Sequence, residues 1–239
     1  MSNHPLFKVI EKVRNYTKEN ISSSVIFDLD GTLFDNRTRT AFILREIAEK
    51  FEKKIPLLRN IVDNFSDLSL FRYDLTETLS NFKITNELEI EFIRKEWEKR
   101  FFADNSQLLD VPLSGAKQYV DLIHAAGATI IYLTGRDMER MLVGTTESLR
   151  QFGFPVGIIG TMIIQKQNFT QSDEFFKEST VNYIKRLGKV VAVFENEPGN
   201  INILKNNFPE ADCFFVKTQH RPDAPKISVE SIDIVDFRF

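Results

Sequence analysis

One cysteine, Cys213, is all the thiol this chain has, so an intramolecular disulfide and a cysteine-built zinc site are both excluded. Histidine is nearly as scarce. His4, His124 and His220 lie far apart and share no metal-ligand spacing. Neither sign of charge dominates, with 34 acidic against 31 basic residues, which argues against general nucleic-acid binding and against a membrane-surface role. No run approaches the roughly 18 apolar residues that span a bilayer. The first residues, Met1 to Lys8, have no long apolar core and no small-residue cleavage site. These absences lead to the expectation of a cytoplasmic protein with no membrane association, in which Cys213 is a small buried hydrophobe. Internal repeats and low-complexity stretches are lacking too, and nothing in the chain speaks to oligomeric state.

What is present is an alternation of helical and strand-like periods. Leu6, Val9, Ile10, Val13 and Tyr16 follow a helical spacing and predict an amphipathic helix before the first strand. Val25-Ile26-Phe27 is a short β-branched and aromatic run of the kind buried on both faces of a parallel sheet. From Asn36 to Asp110 no strand is expected. Predicted helices there carry Ile43, Ile47, Ala48 and Phe51; then Leu57, Leu58, Ile61, Val62 and Phe65; then Leu68 to Leu79; then Ile90, Ile93, Trp97 and Phe101. Such stripes suffice to bury one another in a small bundle. The alternation then resumes, with Ser114 expected to cap a helix that Gly127 closes. Strands are predicted at 128–133, 161–164, 190–194 and 213–216, with helices between them and a possible edge strand at 232–237. The 22 phenylalanines are read as packing residues. Strands separated by helices predict a doubly wound, mostly parallel Rossmann-like α/β sheet interrupted by one all-helical insertion.

The strand-like run 25–27 stops at Asp28-Leu29-Asp30-Gly31-Thr32. Two carboxylates at a strand end mark a cleft, because ligands of open α/β sheets bind beyond the carboxyl ends of the strands. Paired this closely, they repel unless a cation lies between them, and a hard divalent ion with oxygen ligands suits that place. Later strand ends are polar as well. Thr134-Gly135-Arg136 follows one, with a hydroxyl and bare backbone N–H groups expected at a helix N-terminus; Glu195-Asn196-Glu197 follows another. Phosphoryl transfer needs a nucleophile, an acid or base, and positive charge around the transferring oxygens.

The decapeptide from Val25 to Phe34 resembles the first motif of the haloacid dehalogenase-like superfamily, mostly phosphatases and other phosphotransferases. The resemblance runs from about Ile21 onward. It implies a core formed by residues 1–35 and 111–239, with residues 1–20 a helical extension and 36–110 a helical cap. It also implies Mg2+-dependent hydrolysis of a small phosphate monoester through an aspartyl-phosphate. Asp28 is then the nucleophile and Asp30 the acid and base. Thr134, Gly135, Arg136 and Lys177 contact substrate, while Asp28, Asp30 (through its backbone carbonyl) and Glu195 hold the metal. Lys166 rivals Lys177 as the phosphate lysine, and Glu197 rivals Glu195 as the ligand, because Glu195-Asn196-Glu197 departs from the family's usual aspartates. Arg136 either reaches substrate or pairs with a carboxylate. Asp30 disfavours carbon–halogen cleavage. A catalytically quiet module that binds a phosphorylated ligand or a protein partner is the alternative.

Overall fold

The computed structural model describes residues 3–239; Met1, Ser2 and the side chains of Val62 and Asp63 lie outside the described residues. Helix α1 (Pro5–Lys18) precedes strand β1 (Ser23–Phe27), all five residues of which are buried. The short strands β2 (Phe34–Asp35) and β3 (Val111–Pro112) pair antiparallel where the chain leaves the sheet and returns to it. After β3 the chain alternates through α6 (Ala116–Ala126), β4 (Thr129–Asp137), α7 (Met138–Gln151), β5 (Thr161–Lys166), α8 (Asp173–Lys185), β6 (Lys189–Glu195), α9 (Pro198–Asn207), β7 (Asp212–Val216) and β8 (Ile232–Ile234). Six strands form one sheet in the order β5-β4-β1-β6-β7-β8, and every neighbouring pair is parallel. The chain runs outward from β1 on one side and then crosses to build the other. Strand order therefore reverses at β1, and a crevice opens there.

Alternation along the strands supplies two apolar layers. Val25, Phe27, Ile130 and Tyr132 face α1 and α6, while Ile26, Ile131, Leu133 and Val193 face α8 and α9. Phe27, Phe194 and Phe214 stack across β1, β6 and β7 at 4.8 and 4.6 Å. Cys213 is buried in β7. No helix among the described residues is long and apolar enough to cross a membrane.

Between β2 and β3 lie α2 (Arg37–Lys50), α3 (Pro56–Ile61), α4 (Leu75–Asn81) and α5 (Glu87–Phe101), with 3-10 turns at Val62–Ser66, Leu68–Leu70 and Asp104–Leu109. Their buried residues, among them Ile43, Leu44, Ile47, Phe65, Phe71 and Ile93, make a cluster of their own. Two expected helices are corrected here. The one from Leu57 is cut to six residues and tightens into a 3-10 turn, and the one over 68–79 is replaced by a 3-10 turn followed by α4. Asp67 and Asp74 explain the breaks, since each accepts a backbone N–H, from Ser69 and Glu77, and starts a new element. Ser114 does not cap α6 either. Gly115 stands at that position without a side-chain bond, and the Ser114 carbonyl accepts from the Phe237 N–H. The edge strand at the tail is shorter than expected, because Phe237 turns into the core.

Candidate functional site

Asp28 is the first residue past β1, at the point where strand order reverses. Its N–H still donates to the Phe194 carbonyl at 3.1 Å, so the backbone is pinned while the side chain is released into the crevice. Next to it the chain turns sharply at Gly31, with φ of 77°. A Cβ there would lie 2.3 Å from the Asn196 Nδ2, so only glycine fits. Buried Lys177, from the second turn of α8, donates to Asp28 Oδ1 at 2.8 Å and also to Glu195 Oε2. The Glu195 Oε1 accepts the backbone N–H groups of Asn196 and Glu197 at 3.0 and 2.9 Å. One ammonium thus joins two buried carboxylates. Burial and the Glu195 charge push the Asp28 carboxyl up to about 8 against the pull of Lys177, and burial raises Glu195 as well. Burial opposes the Lys177 charge, yet Asp28 and Glu195 raise its pKa above the ordinary lysine value.

Asp30 has a different environment. Arg39 Nη2 donates to its Oδ1 at 2.6 Å, and Arg136 Nε donates to Oδ2 at 2.7 Å. Burial alone would raise this carboxyl, but the charges of Arg136 and Arg39 outweigh it and hold it well below the usual carboxylate range. Two aspartates one residue apart are therefore driven in opposite directions by their surroundings. Of the two fates expected for Arg136, the structure shows pairing with carboxylates, Asp30 and Asp110.

Thr134 is buried and its hydroxyl accepts the Arg136 N–H at 3.3 Å. The expected helix N-terminus at Thr134-Gly135 is corrected: β4 continues to Asp137, whose carboxylate accepts from the Arg140 N–H and starts α7. The register with β5 shifts between Thr134 and Asp137, so Gly135 and Arg136 bulge out of the ladder. Over Gly135 sits Asp173, whose Oδ2 would be 2.6 Å from any Cβ. Lys166 is spent on that carboxylate at 2.7 Å. Of the two candidate lysines, the fold brings Lys177 to Asp28.

Glu197 points elsewhere than Glu195. Its Oε1 accepts the Arg221 N–H at 3.1 Å, and the Arg221 guanidinium also pairs with Glu174. Asn196 between them is a clamp. Its Oδ1 accepts from the Thr32 hydroxyl at 3.1 Å and its Nδ2 donates to the Gln219 carbonyl at 2.7 Å. It ties the Asp28–Thr32 turn to the loop after β7.

Asp28, Asp30, Thr134, Arg136 and Glu195 line a cavity of about 1030 Å³ together with Tyr73 and with Arg94, Trp97 and Phe101 from α5, while Lys177 lies buried behind Asp28 and Glu195. That volume is at the upper end for small-molecule sites. Sequence reasoning missed Arg39 and Asp110. Both are fully buried, but an arginine in a helix after a motif and an aspartate before a strand carry no local mark of their pairing across 71 positions.

The family model for haloacid dehalogenase-like hydrolase matches residues 23–161. No curated protein matches the sequence. Among solved structures, a presumed phosphatase from Clostridium difficile is similar at 16% identity and TM-score 0.55, over 85% of this chain and 89% of that one. A variant of CbbY from Rhodobacter sphaeroides in complex with xylulose-(1,5)bisphosphate is similar at 14% identity and TM-score 0.52, over 91% and 95%. A haloacid dehalogenase-like hydrolase from Streptococcus pneumoniae gives 9% identity and TM-score 0.52, over 90% and 94%. At such identities the likeness is one of fold. With its first sheet strand, its helical insertion and the return through β4 all inside the matched residues, this chain belongs to the haloacid dehalogenase-like hydrolases.

Proposed function

We propose that this protein hydrolyses a small phosphate monoester through an aspartyl-phosphate on Asp28. The observation that carries the proposal is the buried Asp28–Lys177–Glu195 triad, whose two carboxylates line a cavity with room for far more than a phosphate. A nucleophilic carboxylate needs a cation beside it to face a phosphate dianion. Lys177 is that cation, and the Thr134 hydroxyl stands ready on the next strand. In the first step an Asp28 oxygen bonds to phosphorus as the ester P–O bond breaks, and the leaving alkoxide takes the proton of the protonated Asp30 carboxyl. In the second, water attacks phosphorus, passes its proton to Asp30 and releases Asp28 and inorganic phosphate. Held ionised by two arginines, Asp30 is set to accept that proton; to serve the leaving group it must first be protonated. Residues 36–110 supply part of the cavity lining, among them Tyr73, Arg94 and Trp97, and we read them as a cap that excludes water and selects substrate. The CbbY variant bound to a bisphosphate sugar supports a small phosphorylated substrate.

The donor set fits Mg2+. Two buried carboxylates share one ammonium, which leaves surplus negative charge, and every candidate ligand is a hard oxygen. Among the described residues no three acidic, histidine or cysteine side chains form a metal cluster, so Asp28 and Glu195 would be joined by the backbone carbonyl of Asp30. When bound, the ion would neutralise phosphoryl oxygens and keep Asp28 ionised.

Two results are expected. Glu195→Gln raises the Mg2+ concentration for half-maximal activity by about tenfold or more, and it removes most of the rise in melting temperature that Mg2+ gives the wild type. Glu197→Gln does much less, because its carboxylate serves Arg221. The opposite order in the titration would move the ligand to Glu197. Asp30→Asn lowers kcat by about 10²–10⁴-fold, with a smaller loss in the burst of phosphoaspartate formation for a good leaving group such as p-nitrophenol. A burst equally impaired for good and poor leaving groups would remove Asp30 from proton transfer to the leaving alcohol.

A further inference from the structure

The two arginines that hold Asp30 are themselves held by a second carboxylate. Arg39 donates to Asp110 through Nε at 2.7 Å and through Nη2 at 2.6 Å. Arg136 Nη2 reaches the same carboxylate at 2.7 Å. With the bonds to Asp30, the four side chains close a ring of alternating charge: Asp30, Arg39, Asp110, Arg136. The Arg39 guanidinium has no freedom left, since Nη1 donates to the Phe101 carbonyl at 3.2 Å and its Cζ lies 4.2 Å from the Phe101 ring centroid. Asp110 is fully buried and contributes nothing to the cavity wall, so it has no route to substrate except through the arginines. Its place in the chain gives the ring its meaning. Arg39 is in the first turn of α2, just after β2, and Asp110 immediately precedes β3. The ring spans the neck where the helical block joins the sheet, and one of its corners is the carboxylate in the site.

We infer that Asp110 is a positioning residue. Through the Arg39 and Arg136 forks it fixes where the Asp30 carboxylate stands, and it couples that position to the seating of the helical block. Bidentate guanidinium forks set direction as well as distance, and a misplaced acid–base group costs rate without touching substrate affinity. The inference rests on the phosphatase reading.

The test is a double-mutant cycle on kcat and KM with one phosphate monoester and Mg2+, using wild type, Asp110→Asn, Asp30→Asn and the double variant. Asp110→Asn is expected to lower kcat by about tenfold with KM within about twofold. In the Asp30→Asn background the same change is expected to alter kcat by less than about twofold, because the residue it acts through is already gone. An equal loss in both backgrounds, or a loss confined to KM, would overturn the inference. Should Asp110→Asn not fold, Asp110→Glu keeps the charge, displaces the forks and is judged by the same two comparisons. A wild type inert towards every phosphate monoester would overturn the phosphatase reading and this inference together, whereas an active wild type with an additive cycle overturns this inference alone.

Discussion

Asp28→Asn is expected to abolish turnover, by about four orders of magnitude or more, while leaving the protein folded. The carboxamide has nearly the shape of the carboxylate but no anionic oxygen to bond to phosphorus. The local backbone does not depend on the charge, because the Asp28 N–H is pinned by Phe194 and the turn by Gly31 and Asn196. Without metal, the variant should even be the more stable protein. A carboxyl raised from 3.8 to about 8 binds its proton more tightly in the folded than in the unfolded state. Its ionisation therefore destabilises the fold progressively as pH rises from 3.8 to about 8, and by a constant amount above that. Each pKa unit corresponds to about 1.4 kcal/mol, so the gain from removing the group is measurable. In chelator-treated protein, denaturant unfolding at pH 5 and pH 8 should show the variant's advantage growing with pH. An advantage that shrinks with pH, or activity above about one per cent of wild type, would contradict the assignment.

Lys177→Met is expected to have the second largest effect, and on stability as much as on activity. Methionine keeps the apolar stem and deletes the charge, which leaves Asp28 and Glu195 buried with no cation between them. Removing one partner of a buried ion pair costs about 3–5 kcal/mol. In a domain of this size each kcal/mol moves the melting temperature by roughly 2–4 °C. A fall of roughly 6–20 °C is therefore the expected result, together with loss of turnover. Lys166→Met removes a pair with half-exposed Asp173 and a bond to the Gln171 carbonyl, and pairs of that exposure are worth about 1 kcal/mol or less. Comparable losses for the two variants would mean that Lys177 is not the cation on which the site depends.

Much of this architecture was legible because local pattern and burial agree. The run Val25–Phe27 is apolar on both sides since it lies mid-sheet with a layer on each face, and Asp28 stops it where the crevice opens. Lys177 and Lys166 stayed rivals in the sequence, since one lies early in a helix and the other directly after a strand, and only the packing of α8 brings Lys177 to Asp28. The helical block was visible by its lack of strands, but its inner boundaries were not. Asp67 and Asp74 restart the chain there through side-chain bonds that hydrophobic spacing does not register. The extension of β4 through Gly135 and Arg136 was hidden for a related reason. Polar residues after an apolar run read as a loop, whereas here a bulge carries them on to Asp137. Least legible was the charge ring. Asp30 meets Arg39, Asp110 and Arg136 only once the neck between sheet and helices has closed, and no spacing in the sequence announces a contact of that range.

The most direct measurement of the central claim is chemical. Wild-type protein with Mg2+ and a rapidly turned-over phosphate monoester, quenched in acid during the burst and digested, should carry a phosphoryl group on the peptide that contains Asp28. Hydroxylamine should remove that group, and Asp28→Asn should never acquire it. A phosphoryl group on another residue, or hydrolysis with none trapped and full activity in Asp28→Asn, would contradict the account.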